Sequence, residues 1–446
     1  MTDSYWCEHA VVNGALRHAV SIAVVDGRFT SITSGTAPAP GARRLDGLTI
    51  PGFANAHSHA FHRALRSRTQ ADRGSFWTWR EVMYEAAGTL DPGRYHGLAR
   101  AVFAEMASAG ISCVGEFHYL HHQPDGTPYD DPNAMSEALL VAAREAGIRI
   151  TLLETLYLHG GLGPNGYTAP TGAQIRYSDR TAEAWVKRVE NISTTDSSRV
   201  GAAIHSVRAV NPSAMKIVAD WAGGNDAPIH AHVSEQVAEN EQCQIHHGSS
   251  PVELLERSGV LGPNFTAVHA THLTPSDIDL LADTGSAVCM CPTTERDLGD
   301  GIGPSVELAA AGVAINLGSD SHAVIDHSEE MRAVELDERL SSQQRGLHAA
   351  ADLLHMATTA GHTALGWADA GAIAPGNRAD LTTIDLGSIR TAGASTDLAL
   401  EAAVFAATSS DVASVIVDGR VVVDDHTHVS LDVDRELTTS IEELFS

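Results

Sequence analysis

The chain has 446 residues, of which 43% are hydrophobic and 19% are charged, as in an ordinary globular protein. Its formal net charge is -27 and it has no basic run, which argues against a nucleic-acid partner because phosphate binding depends on clustered Lys and Arg. The first residues lack the basic and apolar regions of a signal peptide, and no apolar run is long enough to cross a membrane. We therefore expect a cytoplasmic protein with no membrane partner.

Cysteine and lysine usage excludes several kinds of site. The five cysteines are dispersed and contain no Cys-x-x-Cys pair, which predicts reduced, mostly buried thiols rather than disulfides or a structural zinc knuckle. Only Lys187 and Lys216 are lysines, and both lie in helix-like segments. Schiff-base chemistry, or a modified lysine that bridges two metal ions at a strand end, is therefore disfavoured.

Both ends of the chain alternate short β-prone runs with turn residues. Residues 21–33 carry an Asp-Gly turn, residues 379–385 are strand-like, and residues 415–424 predict a hairpin on Asp418 and Gly419. The two chain ends share this pattern of short strands and turns, and the middle of the chain has a different pattern. We predict that residues 1–50 and 371–446 form one small β-sandwich domain.

The middle of the chain alternates apolar strand candidates with amphipathic helix candidates, the pattern of parallel β/α architecture. Helices are predicted, for example, over residues 99–108, 134–146 and 276–283. Eight strands are predicted, ending near His57, Glu116, Glu154, His205, His232, His269, Pro292 and Asp320. Eight such units predict a (β/α)8 barrel over residues 51–370, with its active site at the carboxyl ends of the strands.

Six of the eight predicted strands end in titratable or polar side chains, which we expect to share one rim of the barrel. They are His57 and His59; Glu116, His118 and Tyr119; His205 and Arg208; His230, His232 and Glu235; His269 and His272; and Asp320 and His322.

Within this set, His57 and His59 are one residue apart, so their side chains point to the same face of a strand. Together with His232 and Asp320 they provide ligands for one divalent metal and leave a position open for water. Three imidazoles and a carboxylate favour zinc or ferrous iron over magnesium or calcium. We expect one Zn²⁺ per chain, with Fe²⁺ as the alternative. His230 shares a strand face with His232 and competes with it as a ligand.

Several of these segments resemble the amidohydrolase superfamily, specifically its mononuclear deaminase branch. Pro-Gly-Phe-Ala-Asn-Ala-His-Ser-His at residues 51–59 is similar to the first metal motif of the family, and His-Val-Ser-Glu at 232–235 to its strand-five motif. His269 resembles the strand-six histidine, Ser-Asp at 319–320 the final ligand, and residues 371–381 the return into the small β-domain. The resemblance covers most of the chain and favours His232 over His230. It implies that Glu235, His269 and Asp320 form the catalytic set.

Four longer segments, residues 75–84, 115–122, 205–210 and 291–301, resemble one group of deiminases in that branch, enzymes of histidine degradation. The resemblance implies a homodimer and the hydrolytic deamination of a small anionic substrate, N-formimidoyl-L-glutamate, to N-formyl-L-glutamate and ammonia. Residues Arg80, Tyr119, His205 and Arg208 match positions that hold the glutamyl part of that substrate.

One position departs from the resemblance. His62 stands where members of the group often have a glutamine that contacts substrate. Both side chains form hydrogen bonds, but a histidine can also carry a proton near an anionic ligand. The departure leaves open the fine shape of the specificity pocket.

Three other functions compete with this prediction. The first is a related deaminase acting on a purine, a pyrimidine or another amidine-like substrate, which is expected to lack paired arginine anchors. The second is a carboxylate-binding protein that has lost catalysis, against which Glu235, His269 and Asp320 argue. The third is a metal-storage role for a chain with 24 histidines. Histidines outside the metal set are expected to be ordinary core or surface groups, namely His118, His121, His122, His246, His247 and His272.

Overall fold

The structure is a computed structural model that describes residues 2–71 and 76–446, without the side chains of residues 2 and 76–78. Two eight-stranded sheets make up the framework, one a parallel barrel and the other a small β-domain, together with one short hairpin. Within the described ranges, no helix combines the length and apolarity needed to span a membrane.

The barrel strands are parallel neighbours in chain order, as predicted, and each lies within a few residues of its predicted end. A parallel bridge between Ser58 and Asp320 joins the first strand to the loop after the last one. The backbone N–H of Asp320 donates to the carbonyl of His57 over 3.0 Å across this junction. The strands are β5 (Phe53–Ser58), β6 (Ile111–His118), β7 (Arg149–Leu156), β10 (Ser198–Ser206), β11 (Ile229–Val233), β12 (Phe265–His269), β13 (Ala287–Met290) and β14 (Ala314–Leu317).

Helices follow the strands, and their ends are set by local sequence signals. Ser250 and Thr274 begin two of them with capping boxes, each paired with an acidic residue three positions later. Gly147, at a φ of 79°, ends another in the left-handed conformation that glycine adopts without strain. The α-helices are α1 (Phe76–Thr89), α2 (Pro92–Ser108), α3 (Ala134–Ala146), α4 (Ala182–Val189), α5 (Pro212–Gly224), α6 (Val237–His247), α7 (Pro251–Arg257), α8 (Pro275–Thr284), α9 (Pro292–Leu298), α10 (Ser305–Ala310), α11 (His327–Ser342), α12 (Ala350–His355), α13 (Gly361–Ala364), α14 (Ala399–Phe405) and α15 (Val433–Leu444).

Shorter elements connect these helices and strands. The described residues include 3₁₀ segments at Ala60–Leu65, Gly172–Tyr177, Thr396–Leu398 and Ser409–Asp411, and a π turn at Met356–Ala360. A two-stranded hairpin, β8 (Gly161–Gly163) with β9 (Gly166–Thr168), extends from the carboxyl end of β7. This hairpin has no counterpart among the sequence-based predictions.

The two chain ends meet in one sheet, in the order β18-β17-β16-β15-β4-β1-β2-β3. The predicted hairpin on Asp418 and Gly419 is confirmed by the pairing of Val417 with Arg420. Residues from both chain ends fill a separate apolar core, and the predicted β-sandwich is consistent with that core. The domain limits at residues 50 and 370 stay a prediction. The strands are β1 (Thr2–Val12), β2 (Ala15–Val25), β3 (Arg28–Thr33), β4 (Arg43–Pro51), β15 (Leu381–Ile384), β16 (Val412–Val417), β17 (Arg420–Asp424) and β18 (Thr427–His428).

A buried ion pair ties the β-domain to the end of the barrel opposite the polar rim. Arg149, at the start of β7, donates to both carboxylate oxygens of Asp380 and to Oδ1 of Asp418 at 3.2 Å. The side chains of Arg149 and Asp380 are 0% and 1% exposed. The five cysteines are free and buried, in agreement with the sequence-based prediction.

Candidate active site

Four predicted ligands converge at the carboxyl ends of the barrel strands. His57 lies on β5 and His59 directly after it, His232 lies on β11, and Asp320 lies in the loop after β14. The ligand atoms of these four residues all lie within 4.8 Å of one another. Oδ1 of Asp320 is 3.3 Å from Nε2 of His57 and 3.3 Å from Nε2 of His59. Nε2 of His232 faces Nε2 of His57 at 3.1 Å. Such a buried cluster of facing donor atoms fits one divalent metal ion.

Hydrogen bonds behind the ligands set the orientation of two of the rings. His59 donates its Nδ1–H to the carbonyl of Phe117 over 2.9 Å, and His232 donates its Nδ1–H to the carbonyl of His205 over 2.8 Å. Each bond leaves Nε2 unprotonated and directed at the cluster. Burial lowers the pKa values of His57, His59 and His232, so the rings are neutral, as metal ligands must be.

Asp320 supplies the negative charge of the cluster. Burial alone would raise its pKa, but contacts with His57, His269 and His59 hold that pKa well below its usual range. Its backbone adopts a φ of 40° and that of His269 a φ of 67°, conformations that non-glycine residues rarely take. Strained backbone of this kind is concentrated at functional sites, where the surrounding structure holds it in place.

Buried polar side chains form a hydrogen-bonded network beside the first barrel strand, β5. Asn55 donates to the hydroxyl of Ser319 over 2.7 Å, and that hydroxyl lies 2.9 Å from Nδ1 of His322. Nε2 of His322 lies 3.1 Å from the hydroxyl of Ser58, which in turn donates to Oε2 of Glu116 over 2.6 Å. These hydrogen-bonded side chains link the loop that carries Asp320 to the end of β5, where His57 and His59 lie.

The two remaining residues of the predicted catalytic set lie beside the metal ligands. Nε2 of His269 is 3.9 Å from Oδ2 of Asp320, and its Nδ1 is 3.4 Å from Oε1 of Glu295. Burial opposes protonation of His269, but Glu295, Glu235 and Asp320 raise its pKa well above the usual value, so the ring is positively charged. Glu235 follows β11 and lies 3.4 Å from a terminal nitrogen of Arg208.

A cavity of about 310 Å³ opens over the cluster, a volume suited to a small molecule. Every residue predicted to bind substrate lines this cavity, as do Glu235, His269 and three of the four ligands. Those predicted binding residues are His62, Arg80, Tyr119, His205 and Arg208. Ser75 in the same sequence segment as Arg80 lies outside the described residues, as do the side chains of Phe76 and Trp77.

Hydrogen bonds hold the binding residues in place. Nε2 of His62 lies 3.0 Å from the hydroxyl of Tyr119, Nε of Arg80 donates to the hydroxyl of Tyr84 over 2.5 Å, and Nδ1 of His205 lies 3.2 Å from the Ser206 hydroxyl. Burial lowers the pKa of His62 to about 3, so its ring is neutral. The side chain that replaces the expected glutamine is therefore an uncharged hydrogen-bonding group as well.

The structure also brings in Tyr84, which the sequence analysis places in the segment 75–84, and several residues that sequence reasoning missed. Tyr84, Tyr157 and Tyr177 form one aromatic wall of the cavity, and Gly161 and Gly163 of the β8–β9 hairpin form its edge.

Three further buried acids lie near the catalytic residues, namely Glu239, Glu295 and Asp300. Burial raises the pKa of Asp300 to about 8, with a further contribution from the charge of Glu235. Asp300 and Glu295 both lie in segment 291–301, which resembles the same group of deiminases, but the sequence predicts no role for either residue.

The histidines that compete with the metal set are engaged elsewhere. His230 donates its Nε2–H to the carbonyl of Ala364 over 3.0 Å, so its ring is turned away from His57 and His59. His118 and His121 lie close to Glu154 in a second buried cluster. A terminal nitrogen of Arg188 donates to Oε2 of Glu154 over 2.7 Å, so this carboxylate is already paired with a cation. The structural role predicted for these histidines fits that arrangement.

A (β/α)8 barrel with three histidines and an aspartate clustered at the carboxyl ends of its strands, beneath a small-molecule cavity, defines the class of metal-dependent barrel enzymes. The amidohydrolase family model matches residues 48–422, and this chain belongs to that family.

Three known proteins illustrate the similarity. The chain is 37% identical over 405 residues to formimidoylglutamate deiminase of Pseudomonas aeruginosa, a match that covers 88% of each chain. It is 28% identical over 393 residues to 8-oxoguanine deaminase of the same organism, covering 84% of each. A crystal structure of an amidohydrolase from Brucella melitensis superposes with a TM-score of 0.92 at 32% identity and covers 100% of both chains.

Proposed function

We propose that this protein is a metal-dependent deiminase that hydrolyses N-formimidoyl-L-glutamate to N-formyl-L-glutamate and ammonia, a step of histidine degradation. The observation that carries the proposal is the presence of two arginines, Arg80 and Arg208, in the same cavity as the metal cluster and Glu235. The similarity to the Pseudomonas deiminase supports the same substrate.

Zinc is the metal that fits the ligand set best, with ferrous iron as the alternative. Donor atoms separated by 3.1 to 3.3 Å have the spacing expected around an ion whose bonds are about 2.0 Å long, as zinc–nitrogen bonds are. A single ion agrees with the lysine positions, because Lys187 lies on α4 and Lys216 on α5, where it pairs with Asp220 on the surface. Metal analysis of the purified protein tests this proposal: one tight ion per chain supports an enzyme, whereas many weak ions support storage.

The cavity residues suit a substrate with two carboxylates. Guanidinium groups bind carboxylates through paired hydrogen bonds, so Arg208 and Arg80 are the anchors, with the hydroxyl of Tyr119 beside them. In a chain of net charge -27 these arginines supply the local positive charge that an anionic substrate requires. His205 and the neutral His62 complete the wall between the anchors and the metal cluster.

Protein side chains perform the proton transfers. A bound divalent metal would acidify water and so supply a nucleophile at neutral pH. Asp320 accepts the proton of the attacking water, and Glu235 delivers a proton to the terminal nitrogen of the formimidoyl group. The positively charged His269 stabilises the negative charge that develops during the attack. The C=N carbon gains oxygen from water, the terminal nitrogen leaves as ammonia, and the formyl amide remains.

The decisive experiment is incubation of the zinc-loaded protein with N-formimidoyl-L-glutamate while ammonia is measured. We expect ammonia and N-formyl-L-glutamate in equal amounts. Adenosine, guanine, 8-oxoguanine and a triazine serve as comparison substrates. No release from formimidoylglutamate together with turnover of one of the others would overturn the assignment.

A purine or pyrimidine deaminase is the second candidate, favoured by the 28% identity to 8-oxoguanine deaminase. The two arginines argue against it, because a neutral base offers no carboxylate to either guanidinium. A homodimer, which the family resemblance implies, and a cytoplasmic location are further proposals. Light scattering on the purified protein tests the first and fractionation of the native cells tests the second.

A further inference from the structure

The guanidinium of Arg208 lies between two carboxylates that follow the same strand. A terminal nitrogen is 3.4 Å from Oε2 of Glu235, and Nε is 3.6 Å from Oε2 of Glu239. Glu235 is the proposed proton donor, and Arg208 is the proposed substrate anchor. One cation therefore contacts a catalytic acid while it also faces the cavity in which the substrate binds.

The two carboxylates differ in their freedom to move. Glu239 lies in the first turn of α6 and its side chain is 0% exposed, whereas the side chain of Glu235 is 10% exposed and lines the cavity. In the described part of the chain, neither carboxylate oxygen of Glu239 forms a hydrogen bond. Arg208 offsets part of the cost of burying this acid, although burial still raises the pKa of Glu239 to about 7. Glu239 is the fixed neighbour of Arg208, and Glu235 is the partner that can be exchanged.

A substrate carboxylate that binds both terminal nitrogens of Arg208 competes with Glu235 for the terminal nitrogen that Glu235 contacts. Two carboxylates at one guanidinium edge repel each other in a buried cavity, where charges interact more strongly than in water. The substrate carboxylate nearest the reacting nitrogen is the α-carboxylate, because it is attached to the carbon that carries the formimidoyl group. It is therefore the one that can reach a guanidinium already in contact with Glu235.

We propose that the substrate α-carboxylate replaces Glu235 at Arg208, and that the released Glu235 carboxylate takes up one of the two protons of the attacking water and passes it to the leaving nitrogen. Recognition of the substrate is thereby coupled to catalysis. Glu239 acts as a positioning residue that keeps Arg208 in place during the exchange. The inference rests on the proposed function, since it concerns the substrate of that same site. It assigns the α-carboxylate a role in turnover in addition to binding.

Two analogues test the coupling on the zinc-loaded enzyme without any mutation. N-formimidoyl-4-aminobutyrate lacks the α-carboxylate, and N-formimidoyl-L-2-aminobutyrate lacks the γ-carboxylate. We expect the first to lose kcat by about tenfold or more, after correction for its uncatalysed hydrolysis rate, and the second mainly to raise KM. Equal kcat for the parent and the first analogue, with only KM raised, would overturn the coupling. Absence of turnover of N-formimidoyl-L-glutamate itself would instead overturn the proposed function.

Added acetate provides an independent readout. It should raise kcat for the analogue without an α-carboxylate, because it can occupy Arg208 in place of the missing group. The activation should be lost in Arg208→Ala and retained in Arg28→Ala, a control at an exposed arginine that does not line the cavity. No activation of the analogue's turnover by acetate in the wild-type enzyme, or activation that persists in Arg208→Ala, would contradict the exchange.

Discussion

The hydroxyl of Ser58 donates a hydrogen bond to Oε2 of Glu116 over 2.6 Å from a position between the two histidines of the first strand. Glu116 also accepts from the backbone N–H of Ala60 at 2.7 Å. The carboxyl group therefore holds the chain on both sides of His59, and the geometry of the two histidines depends on it.

Ser58→Ala is expected to weaken metal binding, because it removes the contact that orients the strand between two ligands. Loss of such an outer contact lowers metal affinity by about 10–100-fold. Competition against a chelator of known affinity measures the change. Ser112→Ala is the matched control, since Ser112 is also buried and donates to the carbonyl of Phe53 away from the ligands. Equal affinity in both variants would refute the role of Ser58.

Glu116 predicts a pH dependence of stability. Burial raises its pKa from 4.5 to about 8, so the folded protein favours the protonated acid. A raised folded-state pKa contributes stability that is present below pH 4.5 and is lost as pH rises towards 8. In the metal-free protein, Glu116→Gln should therefore lose less thermal stability than the wild type between pH 5 and about 8. Parallel melting curves for the two proteins across that range would contradict the assignment.

Glu235→Gln should cut turnover of formimidoylglutamate by about 10²–10⁴-fold, because an amide cannot deliver the proton to the leaving nitrogen. The metal content should stay at the wild-type level, since Glu235 does not belong to the ligand cluster. Initial rates together with metal analysis of the same preparation measure both quantities. Normal turnover in this variant would show that Glu235 takes no part in the proton transfer.

His62→Gln should leave the shape of the pH–rate profile unchanged between pH 6 and about 9, because burial already keeps His62 neutral at those values. A glutamine can also keep the contact with the hydroxyl of Tyr119. His62→Ala removes that contact and should raise KM. Profiles of kcat/KM against pH decide the matter: a step near pH 6.5 in the wild type that disappears in His62→Gln would show that the imidazole titrates.

Arg149→Met should destabilise the protein by about 3–5 kcal/mol, because it leaves Asp380 buried without its main cationic partner. Burial alone would raise the pKa of Asp380, but Arg149 holds that pKa below its usual value. The ion pair therefore contributes stability at pH values above the pKa of Asp380 in the unfolded chain, and this stability is lost as pH falls through the lower pKa of the folded state. Denaturant unfolding measures the loss. Arg28→Met is the control, since its ion pair with Asp369 is exposed and is worth about 1 kcal/mol or less. Equal losses of stability in the two variants would mean that the buried pair stabilises the junction no more than an exposed pair does.

Much of the fold and of the metal cluster follows from local sequence. Apolar runs that end in polar residues predicted all eight barrel strands, because a strand buried on both faces needs apolar side chains until it reaches the rim. The spacing of His57 and His59 predicted a shared face for the same geometric reason. The helices over residues 134–146 and 276–283 were predicted from their periodicity and lie within α3 and α8.

What the sequence by itself determined is the set of strands and the chemistry carried to their ends, since both depend on the alternation of side chains along a few residues. Tertiary structure alone decided the contacts between distant segments. It turned His230 towards Ala364, brought Tyr84, Tyr157 and Tyr177 into one wall, and placed Arg208 between Glu235 and Glu239. These contacts depend on how helices and loops pack around the barrel, and no local periodicity encodes that packing.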